Sequence, residues 1–452
     1  MMRQDLIDAF SRIVGANHVL TANDTLLEYA YDKDPGFSRL PDAIIEPADT
    51  AEVSRVLALA NAEKIPVYPR GYGSNLYNAI TPVEGGIILL LRRMNSLLEI
   101  DTANLAATVE PGIFVADLNK EVKKFGLIFP PDPGTIFTAT IGGMVAQNAT
   151  NIRSLKYGST KHYIMGLEVV LADGKILKTG GKNVKDVAGY DLTKLMTGSQ
   201  GTLGIITKVI VKLMPAPETQ KCLLAGFKNF VDAGKAVKAI LDDKIVPATL
   251  EFMDSVTIQA LGSKAPSSLP PDIKAALIIE IDGITKVVEN DMAKISAILQ
   301  AHNVQQVTVA ETEIEQDAFW NARRAAITSL AKSNDIMWMT DAIIPRSKAA
   351  DMVDKITSIA SKNKLTIAAF GHIGDGVLHP TILFNASDKS LISHASNAMK
   401  EISAAALELG GIFCSRFQED RSGQPETYAK QAIKFSLDPN NILNPVNRVK
   451  EG

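Results

Sequence analysis

Three glycine-rich segments, at residues 69–76, 130–143 and 198–204, fall in one half of the chain. They constrain the fold more than anything else in the sequence. Glycine lets backbone amides come close to a ligand and take positive φ. Successive amides can then form a concavity that binds an anion. One such loop reads as a turn; three together point to a large phosphate-bearing group. A nicotinamide-binding Rossmann unit is disfavoured, because Gly71-Tyr72-Gly73-Ser74-Asn75-Leu76 lacks the third glycine that opens a helix. Pro82, Gly85 and Gly86 also argue against a long helix there.

The loops sit in an alternating pattern of strands and helices. A short strand is expected at 44–46. Asp49 follows as an N-cap, with Glu52 three residues on as a variant of the capping box. Val53, Val56, Leu57 and Ala60 have the spacing of an amphipathic helix. The next strand, at 65–68, runs into the first glycine loop. Further strands are expected at 86–91, 106–109, 166–171 and 205–211, with a helix at 115–125. Pro215 and Pro217 break the pattern and mark a domain boundary. Beyond it, strands at 276–281 and 366–370 alternate with amphipathic helices at 286–299 and 348–361. That arrangement suits an α+β domain on an antiparallel sheet.

Composition excludes several classes. The 452 residues carry 47 Lys and Arg against 50 Asp and Glu, a net charge of −3, with no basic stripe for nucleic acid. Only two cysteines are present, Cys222 and Cys414, too few for an iron–sulfur cluster or a disulfide framework. No apolar stretch approaches the ~20 residues of a membrane helix. Residues 1–9, MMRQDLIDA, contain no secretory h-region. A cytoplasmic protein is expected, with peripheral membrane docking left open.

Several stretches then carry a family resemblance. They are Pro69-Arg70-Gly71-x-Gly73-Ser74, Pro130-Pro131-Asp132-Pro133-Gly134, Thr140-Ile141-Gly142-Gly143, Lys156-Tyr157-Gly158-x-Thr160, the run 166–174, Gly189-Tyr190-Asp191-Leu192, and 198–207. In this order they resemble the FAD domain of the vanillyl-alcohol oxidase/p-cresol methylhydroxylase superfamily. More narrowly, the chain resembles the FAD subunit of glycolate oxidase and the D-lactate dehydrogenases. The resemblance implies an α+β architecture. A two-part FAD-binding domain of the p-cresol methylhydroxylase type would occupy 1–215. An α+β cap domain with an antiparallel sheet would follow at 216–425, and a tail at 426–452 would return to the FAD domain.

The resemblance also assigns roles. Arg70, Gly71, Tyr72, Gly73, Ser74, Asn75 and Leu76 would wrap the pyrophosphate. Asp132, Gly134, Thr135, Thr140, Gly142 and Gly143 would hold the diphosphate and ribose. Asn148, Gly204 and Ile206 would lie near the ring or the adenosine part, and Asn444 would come back from the tail. The first loop has no His and neither Cys lies in a glycine loop, so non-covalent FAD is expected. Asn78-Ala79 stands where the family has Gly-Gly, and Gln200 where it has Glu.

In the second half, Gly371-His372-Ile373-Gly374-Asp375-Gly376-Val377-Leu378-His379 is the most informative stretch. Read by itself, it is either a Gly-Asp-Gly turn between strands or a divalent metal site, since neutral imidazoles suit Zn, Fe or Mn. In the family this pattern supplies metal ligands. The family's later Gly-Glu-His-Gly motif supplies a third ligand and a base, but the ungapped positions here are Arg416 and Phe417. Two options therefore stay open. His372 and His379 bind a metal completed from elsewhere, or one of them is the base and Arg416 holds a substrate carboxylate. Arg323, in Trp320-x-x-Arg323, matches the family's candidate carboxylate clamp, with Arg324 as its competitor. The strand at 341–345 reads as structural.

The implied activity is an FAD-dependent dehydrogenase that moves hydride from a small 2-hydroxy acid of the D-lactate or glycolate class to flavin. Its electrons would leave to an electron-transfer flavoprotein, a separate Fe–S subunit or a quinone, so a hetero-oligomer is an expected form. The alternative reading is an FAD subunit with an altered site that relays electrons or oxidises another substrate.

Overall fold

The computed structural model describes residues 2–30, 39–74, 81–332, 336–385, 389–414 and 425–445. The chain divides into two compact units. One comprises Met1–Asn151, Ser159–Ala216 and Gln418–Gly452; the other comprises Ile152–Gly158 and Pro217–Phe417.

The first unit holds two main sheets. In the four-stranded sheet, Ala43–Ile45, Ile87–Leu90 and Val67–Arg70 lie parallel, and Val19–Leu20 pairs antiparallel at one edge. The helix Thr50–Ala62 buries Val53, Val56, Leu57 and Ala60 completely against this sheet, as the spacing predicts. Asp49 Oδ1 accepts from Glu52 N at 2.8 Å, and Glu52 Oε2 accepts from Ala48 N at 2.7 Å. The glutamate thus reaches one residue further back than a standard capping box. The strand expected at 65–68 runs instead over Val67–Arg70, with Pro69 inside it. Proline is tolerated because this is the outermost main strand. Val67 N points outward to Ile442 O at 2.8 Å, so Pro69, two residues on, also faces outward and deprives no sheet neighbour of a donor. The helix expected to reach 125 ends at Lys123, and Gly126 turns the chain with φ +68°.

The second sheet of this unit is antiparallel, in the order Leu97–Asp101, Ala106–Val109, Ile205–Lys212, Ile164–Val170, Ile176–Gly180. Helix Pro425–Leu437 fastens the C-terminal segment. Lys434 is buried, and its Nζ donates to Thr202 O and Leu443 O, both at 2.9 Å, and to the Asp438 carboxylate. Asp438, fully buried, also accepts from Ile442 N at 3.1 Å and Leu443 N at 2.8 Å. Removing one member of a buried pair leaves the other charge uncompensated. Lys434→Met is therefore expected to cost about 3–5 kcal/mol of stability in this unit. Chemical denaturation of the variant beside Lys434→Met/Asp438→Leu checks it, because the double change removes both charges and should recover part of the loss.

The second unit is built on a nine-stranded antiparallel sheet. Its main path is Gln306–Val309, Thr219–Phe227, Ala275–Gly283, Thr249–Asp254, Thr366–His372, Val377–Phe384, Asp341–Ile343, Ile412–Cys414. One face is apolar and covered by four helices, Phe230–Asp242, Thr285–Ala301, Ala349–Asn363 and Lys389–Glu408. Leu223, Phe252, Leu277, Ile279 and Leu378 point into that layer. The other face packs Cys222, Leu224, Met253, Ile278 and Phe370 against Phe319, Trp320 and Ala326 of helix Glu313–Lys332. It also carries the polar groups described next.

Candidate active site

The glycine loops converge at the C-terminal end of Val67–Arg70 in the first unit. Backbone contacts are close enough to require glycine. A Cβ on Gly71 would lie 2.5 Å from Thr140 Oγ1, and one on Gly142 would lie 2.5 Å from Pro111 Cβ and 2.9 Å from Pro111 O. Gly73 has φ +70°. Thr140 caps the helix Ile141–Gln147 by accepting from Gly143 N at 3.2 Å. The third loop docks on the far end of that helix through Gly198 N to Val145 O at 2.9 Å and Gln200 N to Ala146 O at 2.8 Å. A Cβ on Gly201 would lie 2.4 Å from Pro69 Cγ, at the start of the first loop. Asn444 joins these elements, donating from Nδ2 to Gln200 O at 2.8 Å and from its backbone to Val67 O at 2.9 Å.

Other expected residues lie around this cradle. Arg70 stacks over the Tyr29 ring at 5.0 Å, and Tyr72 packs on Phe114 with centroids 4.5 Å apart. Asn148 ends the helix in the left-handed conformation, and its Oδ1 accepts from Lys161 N at 3.0 Å. Gly134 has open space where a side chain would be, and Thr135 O accepts from Thr138 N and Ala139 N in the same turn as Asp132. A Cβ on Gly204 would lie 2.4 Å from Val169 Cγ1, and Ile206 is buried in the five-stranded sheet. Asn75 and Leu76 lie outside the described residues, as does Arg416. Close packing that excludes side chains at Gly71, Gly142 and Gly201 leaves backbone exposed on these loops' remaining sides, which is compatible with a diphosphate-bearing cofactor such as FAD.

The second unit brings His372 and His379 together. They sit on the neighbouring strands Thr366–His372 and Val377–Phe384, where Phe370 is opposite His379, and their rings are 5.2 Å apart and edge-on. Each ring is held by a carboxylate. His372 Nδ1 lies 2.5 Å from Glu251 Oε1, and His379 Nδ1 lies 2.6 Å from Asp341 Oδ1. Glu251 is fully buried, and its other oxygen accepts from Arg323 Nε at 2.7 Å, with Arg323 Nη2 ion-paired to the same oxygen at 2.7 Å. Arg323 itself is buried, with its guanidinium 5.0 Å from the Phe370 ring. Burial alone would raise the Glu251 carboxyl, but His372 and Arg323 outweigh it and hold it down at about 2. Burial would depress the His372 imidazolium, yet Glu251 outweighs that and raises it. Asp375, in the turn between the strands, is pushed up by burial to about 6, with His372 opposing.

The carboxylate row continues along the sheet. Glu280 accepts from Trp320 Nε1 at 3.0 Å and Gln316 Nε2 at 3.1 Å, and pairs with Arg153 Nη2 at 3.1 Å. Asp282 takes Lys156 at 2.5 Å and Tyr157 Oη at 2.7 Å. Arg153, Lys156 and Tyr157 thus serve the second unit, although the sequence around Lys156 reads with the cofactor loops.

Sequence reasoning missed Glu251, and it read the strand bearing Asp341 as structural. The cue for Glu251 was a lone carboxylate in the apolar strand Thr249-Leu250-Glu251-Phe252-Met253. A charge there must be paired to be buried. Among the described residues no group of three or more His, Cys, Asp or Glu is placed to hold a metal ion. No helix among them is long and apolar enough to cross a membrane.

Comparison with known proteins agrees with both halves of this description. Residues 41–180 match an FAD binding domain, and residues 216–447 match the FAD linked oxidases, C-terminal domain. The chain is 43% identical over 454 residues to the glycolate oxidase subunit GlcD of Bacillus subtilis, covering 98% of this chain and 97% of that one. It is 32% identical to a D-lactate dehydrogenase of Archaeoglobus fulgidus, covering 98% and 99% respectively. Among solved structures, p-cresol methylhydroxylase with substrate bound superposes with TM-score 0.79 at 19% identity, over 98% of this chain and 95% of that one, a likeness of fold. The expected architecture and family therefore hold: the chain belongs to the FAD-linked oxidases and is an FAD-binding oxidoreductase.

Proposed function

We propose that the protein is a dehydrogenase for a small 2-hydroxy acid of the D-lactate or glycolate class. The observation that carries this reading is the pair of imidazoles in the second unit, each with Nδ1 directed at a carboxylate, beside the buried Arg323. An Nδ1–H that donates to a carboxylate leaves Nε2 with its lone pair, ready to take a proton or to ligate a metal. Relatives named as a glycolate oxidase subunit and as D-lactate dehydrogenases support the substrate class.

Oxidising a hydroxy acid removes two electrons and hydrogen from the α-carbon, and the hydroxyl proton must leave as well. Bound FAD supplies the two-electron acceptor. His372 or His379 would take the hydroxyl proton at Nε2. Arg323 Nη1 has no acceptor among the described residues, so it can meet the substrate carboxylate while Nε and Nη2 stay on Glu251. Nε2 of both rings would hold a divalent Zn, Fe or Mn, whose contribution would be Lewis acidity toward the hydroxyl oxygen. Electrons would leave through a separate protein or a quinone, as expected of a relative named as a subunit of a larger oxidase.

The test is an anaerobic titration of the bound flavin with glycolate and with each enantiomer of lactate, with and without added Zn, Mn or Fe. Bleaching by one of them is the expected result. A flavin that no 2-hydroxy acid reduces would favour the relay role instead.

A further inference from the structure

We propose that Glu251 is the positioning residue of this site, one buried carboxylate that fixes the tautomer of His372 and the placement of Arg323 at once. The inference rests on the functional reading above. Its geometric basis is the division of labour between the two oxygens. Oε1 faces His372 Nδ1 at 2.5 Å, and Oε2 faces Arg323 Nε and Nη2 at 2.7 Å. Glu251 stands in the sheet between Ala275–Gly283 and Thr366–His372, fully buried, so it has no freedom to serve one partner and release the other. A carboxylate only accepts. It therefore keeps the proton of neutral His372 on Nδ1 and presents the Nε2 lone pair. The guanidinium has five N–H donors, and holding it along its Nε–Nη2 edge leaves Nη1 for a ligand. His379 has a carboxylate partner of its own in Asp341.

Glu251→Gln separates these duties. Arginine has no acceptor, so the amide oxygen must turn to Arg323 and the amide NH₂ to His372. Nδ1 then becomes an acceptor and the ring proton moves to Nε2, where it blocks both proton uptake and metal ligation. We expect kcat for 2-hydroxy-acid oxidation to fall about ten- to a hundredfold while KM stays within about twofold. The FAD-to-protein ratio should be unchanged, because the glycine loops belong to the other unit. Glu251→Asp, which restores the charge, should recover part of kcat.

The tautomer is read directly from ¹⁵N-histidine NMR, recorded above the imidazolium titration at about pH 9. With six histidines in the chain the spectrum is sparse, and a His372→Gln sample assigns the signal. The expected wild-type signature is Nδ1–H with bare Nε2, reversed in Glu251→Gln. A wild-type His372 protonated on Nε2 would overturn the proposal even if the variant failed to fold. So would a Glu251→Gln enzyme with wild-type kcat. If instead no 2-hydroxy acid reduces the wild-type flavin, the substrate reading fails, and the NMR result still decides the role of Glu251.

Discussion

Replacing His372 with alanine slows reduction of the flavin by a 2-hydroxy acid by about 10²–10⁴-fold, the usual contribution of a positioned proton acceptor. The same change at His379 gives a loss of the same order, and the double variant is little slower than the worse single one. Groups that act as a unit lose most of their effect when the first is removed. That expectation follows from their geometry, two rings 5.2 Å apart on adjacent strands, each backed by a carboxylate. Anaerobic stopped-flow measurement of flavin bleaching isolates this step from electron release. Flavin content serves as the control, since neither ring lies within residues 41–180, which match the FAD binding domain. A His372→Ala enzyme that bleaches at the wild-type rate would remove His372 from the reaction, and only the same result at His379 would remove both.

Gly142→Val abolishes flavin binding. The new Cβ would sit 2.5 Å from Pro111 Cβ, with Pro111 O at 2.9 Å, and both belong to a rigid ring and its backbone that cannot swing aside. The first turn of Ile141–Gln147 must shift, and with it Thr140, which lies 2.5 Å from the position a Gly71 Cβ would take. The first and second glycine loops, packed together at Gly71 and Thr140, then move together. A loss of at least about a hundredfold in FAD affinity is expected, roughly 2.7 kcal/mol. Flavin fluorescence titration of apoprotein measures it, and circular dichroism confirms that the variant is folded. A variant that purifies with stoichiometric flavin would show that the cofactor does not use this wall.

The close packing of the glycine loops was legible because it restricts residue type: a Cβ at Gly71, Gly142 or Gly201 would lie within 2.5 Å of Thr140, Pro111 or Pro69. Helix Thr50–Ala62 was legible because its apolar face repeats with helical period and its cap is local. The imidazole pair was legible as a motif because a tight turn puts both rings on one hairpin. Their carboxylates were not. Glu251 and Asp341 are 121 and 38 residues from the rings they hold, and only strand order brings them together. The excursion of 152–158 into the second unit was hidden for the same reason, because Arg153 and Lys156 are explained only by Glu280 and Asp282, far along the chain. Strand 67–70 was misplaced by two residues because proline argues against a strand unless the strand is known to lie at an edge.

The fastening of the C-terminal segment by Lys434 and Asp438 has a consequence for biosynthesis. Asn440 reaches back 379 residues to Asn61, and Ile442 completes the hydrogen bonding of Val67. A ribosome delivers the chain from its N-terminus at about 5–20 residues per second. The unit that begins first is thus the one that finishes last, after the intervening nine-stranded sheet has emerged in full. Until then the edge of Val67–Arg70 lies open, and the first glycine loop has no Asn444 to hold it to the third. Completion of the first unit is accordingly a late event, and a nascent chain cut short before residue 438 would carry the sheet of the second unit in full while the first lacked the Lys434–Asp438 fastening.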